Sequence, residues 1–156
     1  MPDLAFRLRP TGRVAILVSR YNELITAKLL EGALACCREA GLPREQVDVV
    51  WVPGAFELPV VADGAAATGK YACLVALGVV IRGDTPHFDY VASEAASGLQ
   101  LAALETGVPV SFGVLTVDTR EQAEERIDRA ADAVRTALEM ADVFSQLRAQ
   151  AAGGLH

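Results

Sequence analysis

Ala76-Leu77-Gly78-Val79-Val80-Ile81-Arg82-Gly83-Asp84-Thr85-Pro86-His87-Phe88-Asp89-Tyr90 decides the fold. A continuous apolar run marked by a glycine reads as a strand buried on both faces, and Val91-Ala92-Ser93-Glu94-Ala95-Ala96 beyond it has helical spacing. Arg82 to Thr85 form the connection. Thr85 suits an N-cap and Pro86 a first helical position, so the free backbone N–H groups of the first turn would face whatever sits above the sheet, a ready anion site. His87 falls in that turn. The other histidine is the terminal His156, so imidazole chemistry, if there is any, falls to His87. The plainer reading is a surface histidine in an ordinary strand-to-helix turn.

Outward from this stretch the same alternation recurs. Val14 to Val18 reads as the first core strand, ending at Ser19-Arg20-Tyr21-Asn22, where Asn22 can cap a helix from Glu23 to about Ala40. Gly41-Leu42-Pro43 stops it. Val47 to Val52 is the second strand, and Pro53 to Pro59 turns it into a helix reaching Thr68. Ala72 to Ile81 is the third strand, its helix lasting to Glu105, and Val108 to Val117 is the fourth. Thr119-Arg120-Glu121-Gln122 has the capping-box pattern. Before all of these, Leu4 to Arg9 alternates apolar and polar and predicts an edge strand, or one that joins a neighbouring subunit's sheet. The tail from Ala149 to His156 is expected to fray.

Strands alternating with helices imply an α/β, three-layer domain: a four-stranded parallel sheet flanked by helices, with an N-terminal edge strand. Its 156 residues suit one domain, residues 1–156. An apolar fraction of 52% is high for a soluble monomer, yet no segment offers a membrane-spanning run, so the surplus predicts burial between subunits. A net charge of −6, with lysines and arginines scattered, argues against nucleic acid. Met1-Pro2-Asp3 does not begin a secretion signal. Cys36, Cys37 and Cys73 show no metal-ligand spacing and read as reduced packing residues of a cytoplasmic protein.

Ligands on such sheets bind beyond the carboxyl ends of the strands. Tyr21-Asn22, Gly54-Ala55-Phe56-Glu57, Arg82 to His87 and Phe112 are therefore expected to form one pocket. Each has a plainer reading: Tyr21 as an aromatic at the core's edge, Asn22 and Glu57 as helix-start residues, Phe112 as core. Together, aromatics, exposed amides, a carboxylate, an anion nest and an imidazole suit a planar polar heterocycle plus a small phosphorylated molecule.

Val52-Pro53-Gly54-Ala55-Phe56-Glu57-Leu58-Pro59, the stretch from Gly78 to Val91, and Phe112-Gly113-Val114-Leu115-Thr116 resemble the 6,7-dimethyl-8-ribityllumazine synthases of riboflavin biosynthesis. The resemblance covers about residues 12 to 126 and resumes near Thr136 to Ala141. It implies a flavodoxin-like fold and a transferase that condenses 5-amino-6-(D-ribitylamino)uracil with L-3,4-dihydroxy-2-butanone 4-phosphate, releasing phosphate and water, with no metal or organic cofactor. Tyr21 would stack on the pyrimidine. Asn22, Ala55, Phe56 and Glu57 would hold the ribityl chain and nearby polar edges, and Val79, Val80 and Ile81 would line the uracil-like ring. Gly83, Asp84, Thr85 and Arg126 would bind phosphate, His87 would move protons, and Phe112 would come from an adjacent subunit. The family's partners are small-molecule substrates and copies of the same chain, in homo-oligomers built on pentamers with shared active sites and a functional link to riboflavin synthase. The rival reading is a non-catalytic flavin- or lumazine-binding oligomer.

The chain departs from the family after Arg126, where a Gly-rich, Lys-containing linker is usual. Here Ile127-Asp128-Arg129-Ala130-Ala131-Asp132-Ala133-Val134-Arg135 has neither Gly nor Lys. Arg129 or Arg135 would have to replace the lysine, or activity is reduced; the plainer reading of either arginine is a solvated charge on a helix face. Without glycine each position gains up to ~1 kcal/mol of helix preference, which predicts one unbroken helix from about Glu121 to Leu147 and, with it, an altered assembly of pentamers.

Overall fold

A computed structural model describes residues 12–153. Parallel strands β1 (Arg13–Ser19), β2 (Val47–Val52), β3 (Tyr71–Ile81) and β4 (Val110–Val117) form one sheet in the order β2-β1-β3-β4. Helix α1 (Glu23–Glu39) joins β1 to β2, α2 (Leu58–Ala67) joins β2 to β3, and α3 (His87–Thr106) joins β3 to β4. After β4 come α4 (Arg120–Glu124) and α5 (Arg129–Gly153).

Strand alternation sends two apolar sets to opposite faces. Ile16, Val18, Val75 and Leu77 pack under Ile25, Leu29, Val134 and Leu138 of α1 and α5. Leu17, Leu74 and Ala76 pack against Leu58, Ala62, Ala95 and Leu99 of α2 and α3. Both faces of β1 and β3 are thus covered, which is why these strands read as unbroken apolar runs. The chain steps one way from β1 to β2 and the other way from β2 to β3, so crossovers of one hand put α1 and α2 on opposite faces. Connections leave β1 and β3 on opposite sides of the sheet. The crevice between their carboxyl ends is the switch point where this fold binds ligands.

The four strands, their order of appearance and the helices between them match the expected architecture. Four local expectations change. The α3 N-cap is Pro86 rather than Thr85: the Pro86 carbonyl accepts the Asp89 and Tyr90 N–H groups, at 3.0 and 3.4 Å. Thr85 sits one residue earlier, its Oγ1 accepting a long 3.4 Å bond from the His87 N–H. Asn22 does occupy the α1 N-cap, but in the left-handed conformation (φ 63°) and with no side-chain capping bond. Asparagine tolerates that geometry better than most residues.

The largest correction concerns the C-terminal helix, which breaks at residues 125–128 into α4 and α5. Arg126, Arg129, Ala130 and Ala131 each donate to the carbonyl three residues back, a tighter winding than α-helix. The Arg126 guanidinium takes up the Gln122 carbonyl at 3.0 Å. Helix α4 packs on β3 and β4, whereas α5 packs on α1 as well as the sheet. Propensity differences below ~1 kcal/mol per residue yield to such packing. The expected fraying from Ala149 is not seen over residues 149–153, where α5 stays helical through Gly153; the rest of that tail lies outside the described residues. The expected strand Leu4 to Arg9 lies outside the described residues.

Candidate active site

Three strand-to-helix turns converge above the switch point. The Arg20 N–H donates to the Val52 carbonyl at 2.7 Å and the Tyr21 N–H to the Pro53 carbonyl at 2.9 Å, so the turn after β1 is laced to the turn after β2. Residues Ala55–Glu57 form a single 3₁₀ turn, with the Glu57 N–H bonded to the Gly54 carbonyl at 3.1 Å. The third turn, Arg82 to Pro86, leads into α3.

Between them lies a cavity of about 780 Å³ lined by Tyr21, Gly54 to Glu57, Val79 to Ile81, Gly83, Thr85 and His87, together with Pro53, Phe88, Tyr90 and Val91. Val79 and Val80 of β3, both buried, line it from below. Its mouth carries Tyr21, Phe56 and Tyr90, exposed by 73%, 57% and 68%. Large aromatic faces this open are available for stacking on a flat ligand. Phe88 is buried, and the Arg82 guanidinium lies 4.3 Å from its ring centroid.

Tyr21 and His87 therefore share one cavity, as do Ala55, Phe56, Glu57, Val79, Val80, Ile81, Gly83 and Thr85. Asn22 and Asp84 do not line it. Asn22 is half-buried at the start of α1, and Asp84 is exposed in the turn. The expectation that Phe112 joins the same pocket within one chain does not hold. Phe112 stands on the outer strand β4, three residues into it, rather than in a turn at the sheet's carboxyl end.

A second groove, of about 490 Å³, runs along β4 from Ser111 to Val117 and is walled by Arg126, Arg129, Asp132, Ala133 and Thr136. Phe112 and Arg126 belong to this groove. So does Arg129, whereas Arg135 turns to Asp132 at 3.1 Å and does not line it. Of the two possible replacements for the family's lysine, Arg129 is the one beside Arg126. One chain thus presents an aromatic, amide-lined, imidazole-bearing cavity and, separately, a cationic groove.

The residues missed in the cavity were Pro53, Phe88, Tyr90 and Val91. For Tyr90 and Val91 the signal was present, since they lie three and four residues after His87 and share its helix face. Among the described residues, no group of three or more His, Cys, Asp or Glu side chains is placed to hold a metal ion, and no helix is long and apolar enough to cross a membrane. Cys36, Cys37 and Cys73 are buried free thiols. Burial pushes Cys37 up to about 11 and Cys73 up to about 12, which keeps them protonated and inert.

A parallel sheet between two helical layers, with an aromatic-rimmed cavity at its switch point and a histidine in the third turn, defines an α/β protein whose cavity suits a small, flat, polar ligand. The family profile for 6,7-dimethyl-8-ribityllumazine synthase matches residues 11–145. A protein of that name from Thermosynechococcus vestitus is 47% identical over 150 aligned residues, covering 91% of this chain and 84% of the relative. Those of Chlorobium chlorochromatii and Chlorobium luteolum are each 49% identical, covering 86% and 87% of this chain and 90% and 91% of theirs. The chain belongs to the 6,7-dimethyl-8-ribityllumazine synthase family.

Proposed function

We propose that the chain condenses 5-amino-6-(D-ribitylamino)uracil with L-3,4-dihydroxy-2-butanone 4-phosphate to give 6,7-dimethyl-8-ribityllumazine, phosphate and water. The observation that carries this reading is the single cavity that unites Tyr21, Ala55 to Glu57, Val79 to Ile81, Gly83, Thr85 and His87. Tyr21 stacks on the pyrimidine, and the backbone of Val80 and Ile81 meets its polar edge. Ala55, Phe56 and Glu57 border the ribityl chain, and Asn22, outside the cavity lining, fixes the turn that carries Tyr21. The turn Gly83-Asp84-Thr85 receives phosphate on its amides. Amine and ketone react readily once aligned, so most of the acceleration comes from orientation, and His87 adds a proton shuttle.

Among the described residues, no lysine or arginine lines the cavity to meet a phosphate dianion, and the nearby Arg82 is paired with Asp89 and Asp118. Arg126 and Arg129, with Phe112, lie in the other groove. A complete site follows when the β4 groove of one copy closes over the cavity of the next, so that Phe112 covers the pyrimidine and the two arginines meet the phosphate. This arrangement supports a homo-oligomer built on pentamers with shared active sites. Exposed Leu24, Val60, Leu101 and Leu104 supply apolar surface for such contacts. The broken C-terminal helix removes the reason to expect an altered assembly. The protein works in the cytoplasm beside a riboflavin synthase that consumes its product.

The test is to mix the two substrates with the protein and follow the fluorescence of the lumazine. Turnover in the wild type that is lost in Arg126→Ala supports the transferase. Tight binding of a ribityl ligand without turnover would instead establish a binding protein.

A further inference from the structure

Arg82 has no part in the site as proposed, although it is the first residue after β3 and begins the turn that receives phosphate. Its N–H donates to the Val117 carbonyl at 2.9 Å, its Nε to Asp118 Oδ1 at 2.9 Å, and its Nη1 reaches Asp89 Oδ1 at 3.5 Å. Its flat face lies on Phe88, 4.3 Å from the ring centroid. The contacts continue beyond Asp118. The Asp118 N–H donates to Gln122 Oε1 at 2.7 Å, and the Gln122 carbonyl accepts Arg126 Nη1 at 3.0 Å.

We propose that Arg82 is a positioning residue for both walls of the phosphate subsite, holding the Gly83 to His87 turn from one side and, through Asp118 and Gln122, Arg126 from the other. The proposal rests on the proposed function. Arg82 does not act as the phosphate's counter-charge: it does not line the cavity, and one guanidinium with two aspartates carries a net negative charge. It acts through geometry, with Nε and Nη1 each on a carboxylate. Bridging two carboxylates while stacking on a ring needs the planar, forked guanidinium, which a lysine cannot imitate. Because exposed ion pairs add little to stability, the effect falls on ligand alignment rather than on folding. One chain contributes its turn to one site and its Arg126 to the next, so Arg82 ties together the alignment of two neighbouring sites.

The test compares the full-length wild type with Arg82→Lys, Arg82→Ala and Asp118→Asn. For each, both KM values, kcat, the melting temperature and the affinity for inorganic phosphate by calorimetry are measured. Arg82→Lys keeps the charge and loses the fork, yet KM for the phosphorylated ketone and Kd for phosphate rise roughly tenfold. KM for the uracil substrate stays within about twofold and the melting temperature barely moves. Asp118→Asn is the sharpest arm, since removing a negative charge near phosphate should tighten binding if charge alone matters, whereas a positioning role requires it to weaken. Unchanged phosphate affinity in Arg82→Lys, tighter binding in Asp118→Asn, equal shifts in both KM values, or a wild type that binds no inorganic phosphate would overturn the proposal. A wild type that binds phosphate but forms no lumazine would defeat the proposed function, while the phosphate measurements would still decide the role of Arg82.

Discussion

Gly98 on α3 and Pro59 on α2 approach so closely that a Cβ at Gly98 would lie 2.6 Å from the Pro59 Cβ. The proline ring cannot swing aside. Gly98→Ala gains up to ~1 kcal/mol of helix propensity, but overpacking against a rigid neighbour costs about 1–3 kcal/mol. The expected outcome is a lower midpoint in denaturant unfolding. A raised midpoint would mean that α2 and α3 separate easily, and with them two walls of the cavity.

Asp48 predicts an acid limb. It accepts Arg13 Nη2 at 2.6 Å and the Tyr71 hydroxyl at 2.7 Å, and chiefly the bond from Arg13 holds its carboxyl at about 2 instead of 3.8. A carboxyl depressed by folding stabilises above its unfolded value and loses that contribution as pH falls through its folded one. The loss therefore spans about pH 4 down to pH 2. Asp48→Asn removes roughly 1 kcal/mol at neutral pH, solvent screening included, and flattens the curve in that window. Thermal melts across the range check the sign.

Ser19 predicts a gain. Its hydroxyl is fully buried at the end of β1 and has no hydrogen-bond partner among the described residues. Deleting an unsatisfied buried hydroxyl stabilises by up to ~1 kcal/mol, so Ser19→Ala should melt higher than the wild type. Gly78→Ala goes the other way, because its Cβ would sit 2.8 Å from Ser19 Oγ. The double variant should recover part of the loss if these atoms are the cause.

His87 and Tyr21 are separable by kinetics. His87→Ala should slow kcat by about a hundredfold, the lower end of the usual range for one proton shuttle, without abolishing it, and an unchanged rate would remove His87 from the mechanism. Tyr21→Ala should raise KM for the uracil substrate by roughly tenfold, with a smaller effect on the phosphorylated ketone, because lost stacking is worth about 1–1.5 kcal/mol.

Sharing of sites between copies is checked by complementation. Co-assembled His87→Ala and Arg126→Ala chains should show activity well above that of either variant alone, since some interfaces then pair an intact cavity with an intact groove. No recovery in mixed particles would place a complete site within each chain.

Much of this was legible in the sequence. Val47 to Val52 is a strand with the bounds its β-branched run suggested, and the apolar stretch through Leu77 and Val80 lies at the centre of the sheet, covered on both sides. Turn residues at the carboxyl ends of β1, β2 and β3 do converge, because parallel crossovers leave them no other place. The placement of Phe112 was legible only in part. The strand bounds already put it in the middle of β4, away from the carboxyl end, but not in a groove walled by Arg126 and Arg129. The break at residues 125–128 was hidden for a different reason: every residue there tolerates a helix, and docking of α4 on the sheet, aided by Arg126, overrides that tolerance. Where composition is permissive, tertiary contacts decide.

The bend between α4 and α5 therefore has an unusual basis. It is made by residues such as Glu125, Ile127 and Asp128 that carry no intrinsic instruction to turn, so what fixes the corner is the surface on which each arm lies. A corner of that kind is a poor splice point. Extra residues introduced there would leave both arms anchored on their surfaces but displace Arg126 and Arg129, which stand at the corner and wall the β4 groove.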